Sequence, residues 1–241
     1  MAGYQGALSD SVIQSKYLGE EQKILIYTPP NYSPFSTYDL LICQDGNDYF
    51  QLGRIPRQVE RLLEEAEVRE MIIIGVPYPS VNERRKRYHP DGEKVEAYLR
   101  FLAEELIPFL DDKFPTYQLA SGRTLAGDSL AGTVSFLAAL KYPELFGQVM
   151  MHSPFVNATV LEALSAFSPK SLSIYHVIGK LETAVKTTDG QVLDFLTPNR
   201  ELQSRLKQLP ITYSYHEFDG DHTWTYWQKD LPRGLTTLLS Y

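Results

Sequence analysis

Short apolar runs alternate along the chain with segments whose apolar residues recur at helical spacing. The runs at 38–43 and 71–76 are almost continuously apolar, which is typical of strands covered on both faces of a sheet. Between them, apolar residues follow the period of an amphipathic helix: Ile55, Val59, Leu62, Leu63 and Ala66. This order predicts a strand, a covering helix and a second strand.

The same alternation continues to the end of the chain. Strands at 11–17 and 22–27 are predicted to form an antiparallel entry hairpin. Later strands are predicted at 148–152, 171–178 and 211–218, and helices at 95–110, 130–140, 201–209 and 224–239. Pro108 should bend or locally unwind the first of these helices. Strands that alternate with helices favour a mostly parallel central sheet with helices on both faces, in one domain spanning 1–241.

Residues 77–92 are polar and aromatic without periodicity, and we predict a long loop there. Its basic run at 84–87 is interpreted as a solvated loop. Loops at the carboxyl ends of parallel strands hold substrate contacts in α/β enzymes. Several side chains near such ends are therefore candidates for the rim of a pocket, or for ordinary loop packing: Tyr49, Phe50, Tyr78, Asn82, Arg84, Tyr88 and His89. Aromatic rings with an arginine would suit an acyl or aryl ester with some anionic character.

Residues 125–132 suggest a nucleophilic serine. An apolar strand runs into a helix through Gly-Asp-Ser-Leu-Ala-Gly, with Ser129 at the turn. In α/β-hydrolases the nucleophile sits on a strained strand-to-helix turn, and small residues flank it because larger side chains would collide there. Gly127, Ala131 and Gly132 are small in this way. The alternative is a serine that only caps the following helix.

A nucleophilic serine needs a base and a group that orients the base, and in this fold the chain order is serine, acid, histidine. His222 lies in the predicted loop between the last strand and the last helix, where an imidazole can reach the serine. Glu182 follows the penultimate strand and is the first candidate for the acid. Asp189 and Asp194 lie further along the same connection and remain alternatives.

The oxyanion of a tetrahedral intermediate needs two hydrogen-bond donors. In this fold they are the backbone N–H after the nucleophile and one from the loop after an early strand, positions held here by Leu130 and Asn47. Gly46 would allow a close backbone approach. The residues 45–47 are equally consistent with a plain turn.

Composition narrows the range of functions. The formal net charge of −7 argues against a general binder of nucleic acid or of anionic membranes. No apolar run is long enough to span a bilayer, and residues 1–11 lack the pattern of a signal peptide, so we expect a cytoplasmic protein. Cys43 is the single cysteine and is interpreted as a small core residue.

Several motifs occur in a fixed order along nearly the whole chain: Tyr-Thr-Pro-Pro-Asn-Tyr at 27–32, Gly-Asp-Ser-Leu-Ala-Gly at 127–132, Lys-Tyr-Pro-Glu-Leu-Phe-Gly at 141–147, Ser153-Pro154, Gly179 with Glu182, and Gly220, His222, Trp224 and Trp227. This set resembles the esterase family of α/β-hydrolases that contains enterochelin esterases, esterase D and the antigen 85 mycolyltransferases. The resemblance implies an α/β-hydrolase fold.

The same resemblance assigns roles to individual residues. It implies Ser129 as nucleophile, His222 as base and Glu182 as acid, with the backbone of Asn47 and Leu130 as oxyanion donors. One position departs from the pattern. Enterochelin esterase relatives tend to carry Arg-x-x-Glu before the long helix, and here Arg87 stands where the acid would fall.

These features together predict a serine hydrolase that cleaves a small-molecule carboxylic ester through a covalent acyl-enzyme, with no metal or cofactor. An acyltransferase would share the first half-reaction. A binding protein that uses the fold without catalysis is the alternative from another class. The sequence leaves the physiological ester open among siderophore lactones, short acyl esters, aryl esters and thioesters, and it does not indicate an oligomeric state.

Overall fold

The protein is built around a large mixed sheet in the computed structural model, which describes residues 5–168 and 171–241. Residues 1–4, the beginning of the amino-terminal segment considered above, lie outside the described part. The strands of the sheet are β1 (Ala7–Ser15), β2 (Glu20–Thr28), β3 (Asp39–Gln44), β4 (Met71–Val76), β5 (Arg123–Asp128), β6 (Gln148–His152), β7 (Ser173–Gly179) and β10 (Thr212–Phe218). Two short strands, β8 (Val185–Lys186) and β9 (Val192–Leu193), form a separate antiparallel hairpin.

The strand order across the sheet is β1-β2-β4-β3-β5-β6-β7-β10. The first two strands are antiparallel to each other, and β2 is antiparallel to β4. From β4 to β10 every neighbouring pair is parallel. The mostly parallel sheet of an α/β-hydrolase is therefore confirmed, and so is the entry hairpin.

The helices that cover the sheet are α1 (Gly46–Gln51), α2 (Ile55–Glu64), α3 (Val81–Tyr88), α4 (Val95–Arg100), α5 (Ile107–Lys113), α6 (Leu130–Lys141), α7 (Ala158–Ala166), α8 (Leu196–Leu206) and α9 (Trp224–Leu239). A π-helical turn at Phe101–Leu106 joins α4 to α5. This turn ends two residues before Pro108, near which local unwinding was expected.

Alternate residues of β3 point into two different apolar cores. Leu40 and Ile42 belong to the core on one face, with residues of α4 and α6, whereas Leu41 and Cys43 belong to the core on the other face, with residues of α2 and α9. The side chains of β3 are fully buried on both faces. This double burial explains the continuous apolar run in the sequence.

The structure corrects the prediction of a loop over residues 77–92, because the middle half of the segment is helix α3. Ser80 caps this helix by accepting a hydrogen bond from the Glu83 N–H at 3.2 Å. The basic run at 84–87 is not a solvated loop either, because it lies within α3. Arg87 is only 1% exposed and donates to the side chains of Gln22 and Glu20.

His176 on β7 makes the stability of the fold depend on pH. Its ring is fully buried, with Nδ1 at 2.9 Å from the Tyr213 hydroxyl and Nε2 at 2.7 Å from Asn199 Oδ1. Burial lowers the pKa of His176 to about 4, so the folded protein keeps this ring neutral where the unfolded chain takes up a proton.

Stability is therefore expected to fall as pH drops from about 6.5 to about 4, by up to about 3 kcal/mol from this residue. Urea unfolding at pH 7 and pH 4, for the wild type and for His176→Gln, measures the difference. Equal losses in the two proteins would show that His176 does not contribute.

Candidate active site

Ser129 lies on a strained turn between β5 and α6. Its backbone has φ 51° and ψ −125°, a conformation that residues other than glycine rarely adopt. The turn is tight because a Cβ atom on Gly127 would overlap the carbonyl group of Ala131. The Ser129 N–H donates to the His152 carbonyl at 2.8 Å, which ties the turn to β6. The turn leaves Ser129 half-buried at the wall of a cavity.

His222 and Glu182 form a close pair beside this turn. His222 Nδ1 lies 2.6 Å from Glu182 Oε2, and the Glu182 side chain is fully buried after the end of β7. The other carboxylate oxygen accepts hydrogen bonds from the Gly179 N–H at 2.7 Å and from the Ser153 hydroxyl at 2.6 Å. With its proton on Nδ1 toward the carboxylate, the imidazole presents the lone pair of Nε2.

Ser129 and His222 both line the same cavity. Among the hydrogen bonds of the described residues, none joins their side chains directly. Catalytic hydrogen bonds are often long before substrate binds and tighten in the complex. In the described structure the two side chains therefore share a cavity but are not hydrogen-bonded to each other.

The alternative acids have other partners. Asp189 forms an ion pair with Arg85 at 2.8 Å, and Asp194 accepts a hydrogen bond from the Thr197 N–H at 3.1 Å. Of the three carboxylates considered from the sequence, the structure pairs Glu182 with His222.

The two predicted oxyanion donors lie at the start of helices. Leu130 is the first residue of α6 and Asn47 the second residue of α1, where N–H groups have no partner within the helix. The first intrahelical bonds come later, from Thr133 N–H to the Ser129 carbonyl and from Asp48 N–H to the Asp45 carbonyl. Leu130 lines the cavity, whereas the side chain of Asn47 is exposed.

Arg84 holds Asp45, which lies two residues before Asn47, the second predicted oxyanion donor. From α3 its guanidinium donates to both carboxylate oxygens of Asp45, with Nε to Oδ1 at 2.8 Å and Nη2 to Oδ2 at 2.6 Å. Asp45 has a left-handed backbone, with φ 52°. A Cβ on Gly46 would lie 2.5 Å from the backbone of Gly75, so the loop passes directly over β4.

Asp128 adds a second buried carboxyl group next to Ser129. Burial, first, and then the nearby Asp45 carboxylate raise the pKa of Asp128 well above its usual range. Its Oδ1 has no hydrogen-bond partner among the described residues. Arg84 forms its ion pair with Asp45 and not with Asp128.

The structure does not bring the three tyrosines of the predicted rim to the cavity lining. Tyr49 is fully buried and its hydroxyl lies 3.2 Å from His152 Nδ1. Tyr88 is also fully buried, with its hydroxyl 3.4 Å from that of Tyr98. Tyr78 is half-buried, and the guanidinium carbon of Arg84 lies 5.7 Å from the centroid of the Tyr78 ring. Arg84 itself does line the cavity.

The cavity beside Ser129 has a volume of about 200 Å³. One part of its wall is apolar and is formed by Leu130, Phe155, Val185, Leu193 and Phe195. Phe195 also packs against the His222 ring, with centroids 4.6 Å apart. Sequence reasoning missed the hairpin β8–β9 in this wall, although Asp189-Gly190 is a typical hairpin-turn dipeptide and Gly190 has φ 84°.

A family model described as "Putative esterase" matches residues 15–238. The chain belongs to this esterase family. Ester hydrolysis is the activity that membership indicates. The resemblance seen in the motifs is thereby confirmed. In the described part of the chain no group of three or more histidine, cysteine or carboxylate side chains is arranged to hold a metal ion, and no helix is long and apolar enough to cross a membrane.

Two sequence relatives extend over most of the chain. The uncharacterized protein YjcH of Bacillus subtilis is 53% identical over 240 residues, which are 99% of this chain and 100% of that protein. The iron(III) salmochelin esterase of Escherichia coli is 21% identical over 239 residues, covering 91% of this chain and 55% of that protein.

Solved structures share the fold. The enterobactin esterase of Shigella flexneri superposes with a TM-score of 0.80 at 19% identity, covering 97% of this chain and 60% of that one. The BES protein of Bacillus cereus gives a TM-score of 0.79 at 23% identity, with coverages of 97% and 95%. This chain thus spans less than two thirds of the length of the salmochelin and enterobactin esterases that it matches.

Proposed function

We propose that the protein is a serine esterase in which Ser129, His222 and Glu182 hydrolyse a small-molecule carboxylic ester through a covalent acyl-enzyme. The observation that carries the proposal is the 2.6 Å contact between His222 Nδ1 and the buried Glu182, on the same cavity as the strained Ser129. A base that is oriented by a carboxylate and lies on the same cavity as a serine is the arrangement that nucleophilic acyl transfer requires.

In the first half-reaction the Ser129 Oγ attacks the acyl carbon of the ester. The hydroxyl proton passes to His222 Nε2, and the Glu182 carboxylate stabilises the imidazolium that forms. The negative charge that develops on the carbonyl oxygen is bound by the N–H groups of Leu130 and Asn47. Their position at helix starts adds the favourable end of each helix dipole.

The tetrahedral intermediate then collapses. The bond to the alcohol oxygen breaks, and His222 returns its proton to that oxygen, which leaves as a neutral alcohol. In the second half-reaction His222 takes a proton from water while the water oxygen attacks the acyl-enzyme. Release of the carboxylic acid restores the Ser129 hydroxyl.

A fluorophosphonate probe tests the activated serine directly. The purified protein is expected to incorporate one equivalent of phosphonate at Ser129, with loss of fluoride, because the same base and oxyanion donors assist this substitution. In His222→Ala the labelling rate should fall by about two orders of magnitude, within the usual contribution of a general base. Peptide mapping by mass spectrometry locates the adduct. An adduct at another residue, or none, would contradict the proposal.

A further inference from the structure

The cavity lining differs in charge from the protein as a whole. The chain has 30 acidic and 23 basic residues, yet none of the fourteen residues that line the cavity is aspartate or glutamate. Besides His222, the lining includes two arginines, one lysine and one histidine: Arg84, Arg85, Lys186 and His89. A wall without carboxylates in an acidic protein favours a negatively charged ligand over a positive one.

These basic groups are not equivalent. The charge of Arg84 is matched by Asp45 and that of Arg85 by Asp189, in ion pairs of 2.6 and 2.8 Å. Burial and the nearby Arg85 lower the pKa of His89, so its ring is neutral at pH 7. Lys186 on β8 has no carboxylate partner among the ion pairs of the described residues. Among the described residues that line the cavity, Lys186 is thus the cation without a carboxylate partner.

We propose that the substrate is an ester carrying one anionic group and that Lys186 recognises this group. This inference rests on the proposed esterase function. The hydrocarbon or aromatic part of the same substrate packs on the apolar wall that includes Phe155 and Phe195. The Lys186 charge both attracts such a substrate and fixes its orientation relative to Ser129.

Matched esters with and without a carboxylate test this specificity. For an anion on the acyl side, the pair is mono-4-nitrophenyl adipate and 4-nitrophenyl hexanoate. For the alcohol side, it is 4-acetoxybenzoate and its methyl ester. In at least one pair, kcat/KM for the anion should exceed that for the neutral ester by about threefold or more at low salt, the size expected of an exposed charge pair.

The preference should disappear in Lys186→Met and weaken in 0.5 M sodium chloride, because both remove the interaction with the lysine charge. Lys207→Met is the matched control, since Lys207 is exposed on the turn after α8 and away from the cavity lining. A preference absent from both pairs, or retained in Lys186→Met, would overturn the inference while leaving the esterase proposal intact. A protein that hydrolyses none of the four esters would contradict the esterase proposal itself.

A second and independent observation concerns Trp227 on α9, which contacts two members of the site. Its ring meets the His222 ring edge to face, with centroids 4.9 Å apart and planes at 84°. Its Nε1–H donates to the Ser153 hydroxyl at 3.0 Å, and that hydroxyl donates to Glu182 at 2.6 Å. All of Ser153, Glu182 and Trp227 are buried.

The hydrogen bond from Trp227 decides which way the Ser153 hydroxyl points. A serine oxygen that accepts the indole N–H has its own proton left to donate, and Glu182 Oε1 is the acceptor within reach. Ser153 is held there by a left-handed backbone with φ 47° and by its N–H bond to the Val177 carbonyl at 2.8 Å. Such a strained, buried position is often kept for a functional reason.

We infer that Trp227 and Ser153 are positioning residues that fix the Glu182 carboxylate and the His222 ring for catalysis. Trp227→Phe retains an aromatic ring against His222 but removes the indole N–H. Ser153→Ala removes the hydroxyl that links Trp227 to the acid. Each variant should lower kcat for 4-nitrophenyl acetate by about tenfold with KM changed less than twofold, because only the transition state uses the oriented pair.

The double variant should be hardly slower than the worse single variant, since both substitutions break one chain of hydrogen bonds. Trp224→Phe is the matched control, because its ring packs on Tyr49 and on Trp227 but takes no part in the hydrogen bonds to Ser153 and Glu182. With a phenyl ring kept at that place, it should retain the wild-type kcat. Additive losses, or losses confined to KM, would overturn the inference. Wild-type kcat in both single variants would also do so.

Discussion

Replacement of Ser129 by alanine is expected to lower kcat for ester hydrolysis by about 10⁴-fold or more, since it removes the attacking oxygen and leaves only binding and the oxyanion donors. The substitution takes away one hydroxyl at a half-buried position, so packing around β5 and α6 should be retained. The measurement is steady-state release of 4-nitrophenolate from 4-nitrophenyl acetate. Ser121→Ala, an exposed serine before β5, provides a control for loss of a serine hydroxyl.

Circular dichroism and the unfolding midpoint of Ser129→Ala should match those of the wild type. A variant that is folded and inactive supports covalent catalysis at this position. Wild-type turnover by folded Ser129→Ala would remove Ser129 from the mechanism.

Glu182→Gln is expected to lower kcat by about 10³-fold or more, comparable to losses when the acid of other serine triads is replaced. The Glu182 Oε1 accepts two hydrogen bonds, from Gly179 and Ser153, so the glutamine oxygen should take that place. The amide NH₂ then faces His222 Nδ1 and forces the imidazole to carry its proton on Nε2. A ring in that tautomer cannot accept the proton from Ser129.

The alternative acids provide matched controls for Glu182→Gln. Asp189→Asn and Asp194→Asn are expected to change kcat for the neutral ester 4-nitrophenyl acetate by less than twofold, because their partners are Arg85 and the start of α8. A large loss in either variant, with Glu182→Gln fully active, would assign the acid elsewhere.

The sequence allowed the parallel sheet and the order of the site residues to be predicted for a physical reason. Buried strands such as β3 must be apolar on both faces, and the tight turn at Ser129 requires small neighbours. The loop after a parallel strand lies at one edge of the sheet, so Glu182 and His222 could be expected near Ser129. Their pairing distance, however, depends on loop conformations that the sequence pattern does not encode.

Helix α3 was missed because its inner face is not apolar. Its inward side carries Arg87, which is buried, and Arg84, which is half-buried, and both are held by ion pairs and hydrogen bonds. The helical period of hydrophobic residues is therefore absent. A start signal was nevertheless present, since Ser80 and Glu83 have the spacing of a capping box. Two of the three tyrosines absent from the cavity lining have a similar explanation. Tyr49 and Tyr88 lie near strand ends in the sequence, but their rings fill the core.

The contacts of Trp227 and Ser153 with the site could not be predicted from the sequence. One residue follows β6, one follows β7 and one lies on α9: Ser153, Glu182 and Trp227. They meet only when these three elements are packed together. The cavity wall formed by β8 and β9 likewise depends on how a short hairpin folds over the sheet edge. Such contacts of distant segments are set by tertiary packing.

The central claim is a covalent acyl-enzyme, and partitioning between water and methanol tests it most directly. Phenyl acetate and 4-nitrophenyl acetate should form the same acetyl-Ser129 species, because the alcohol has already left when water or methanol attacks. The ratio of methyl acetate to acetate, measured by gas chromatography at a fixed methanol concentration, is therefore predicted to be identical for the two esters. A ratio that changes with the leaving group would contradict a common intermediate and, with it, the proposed mechanism.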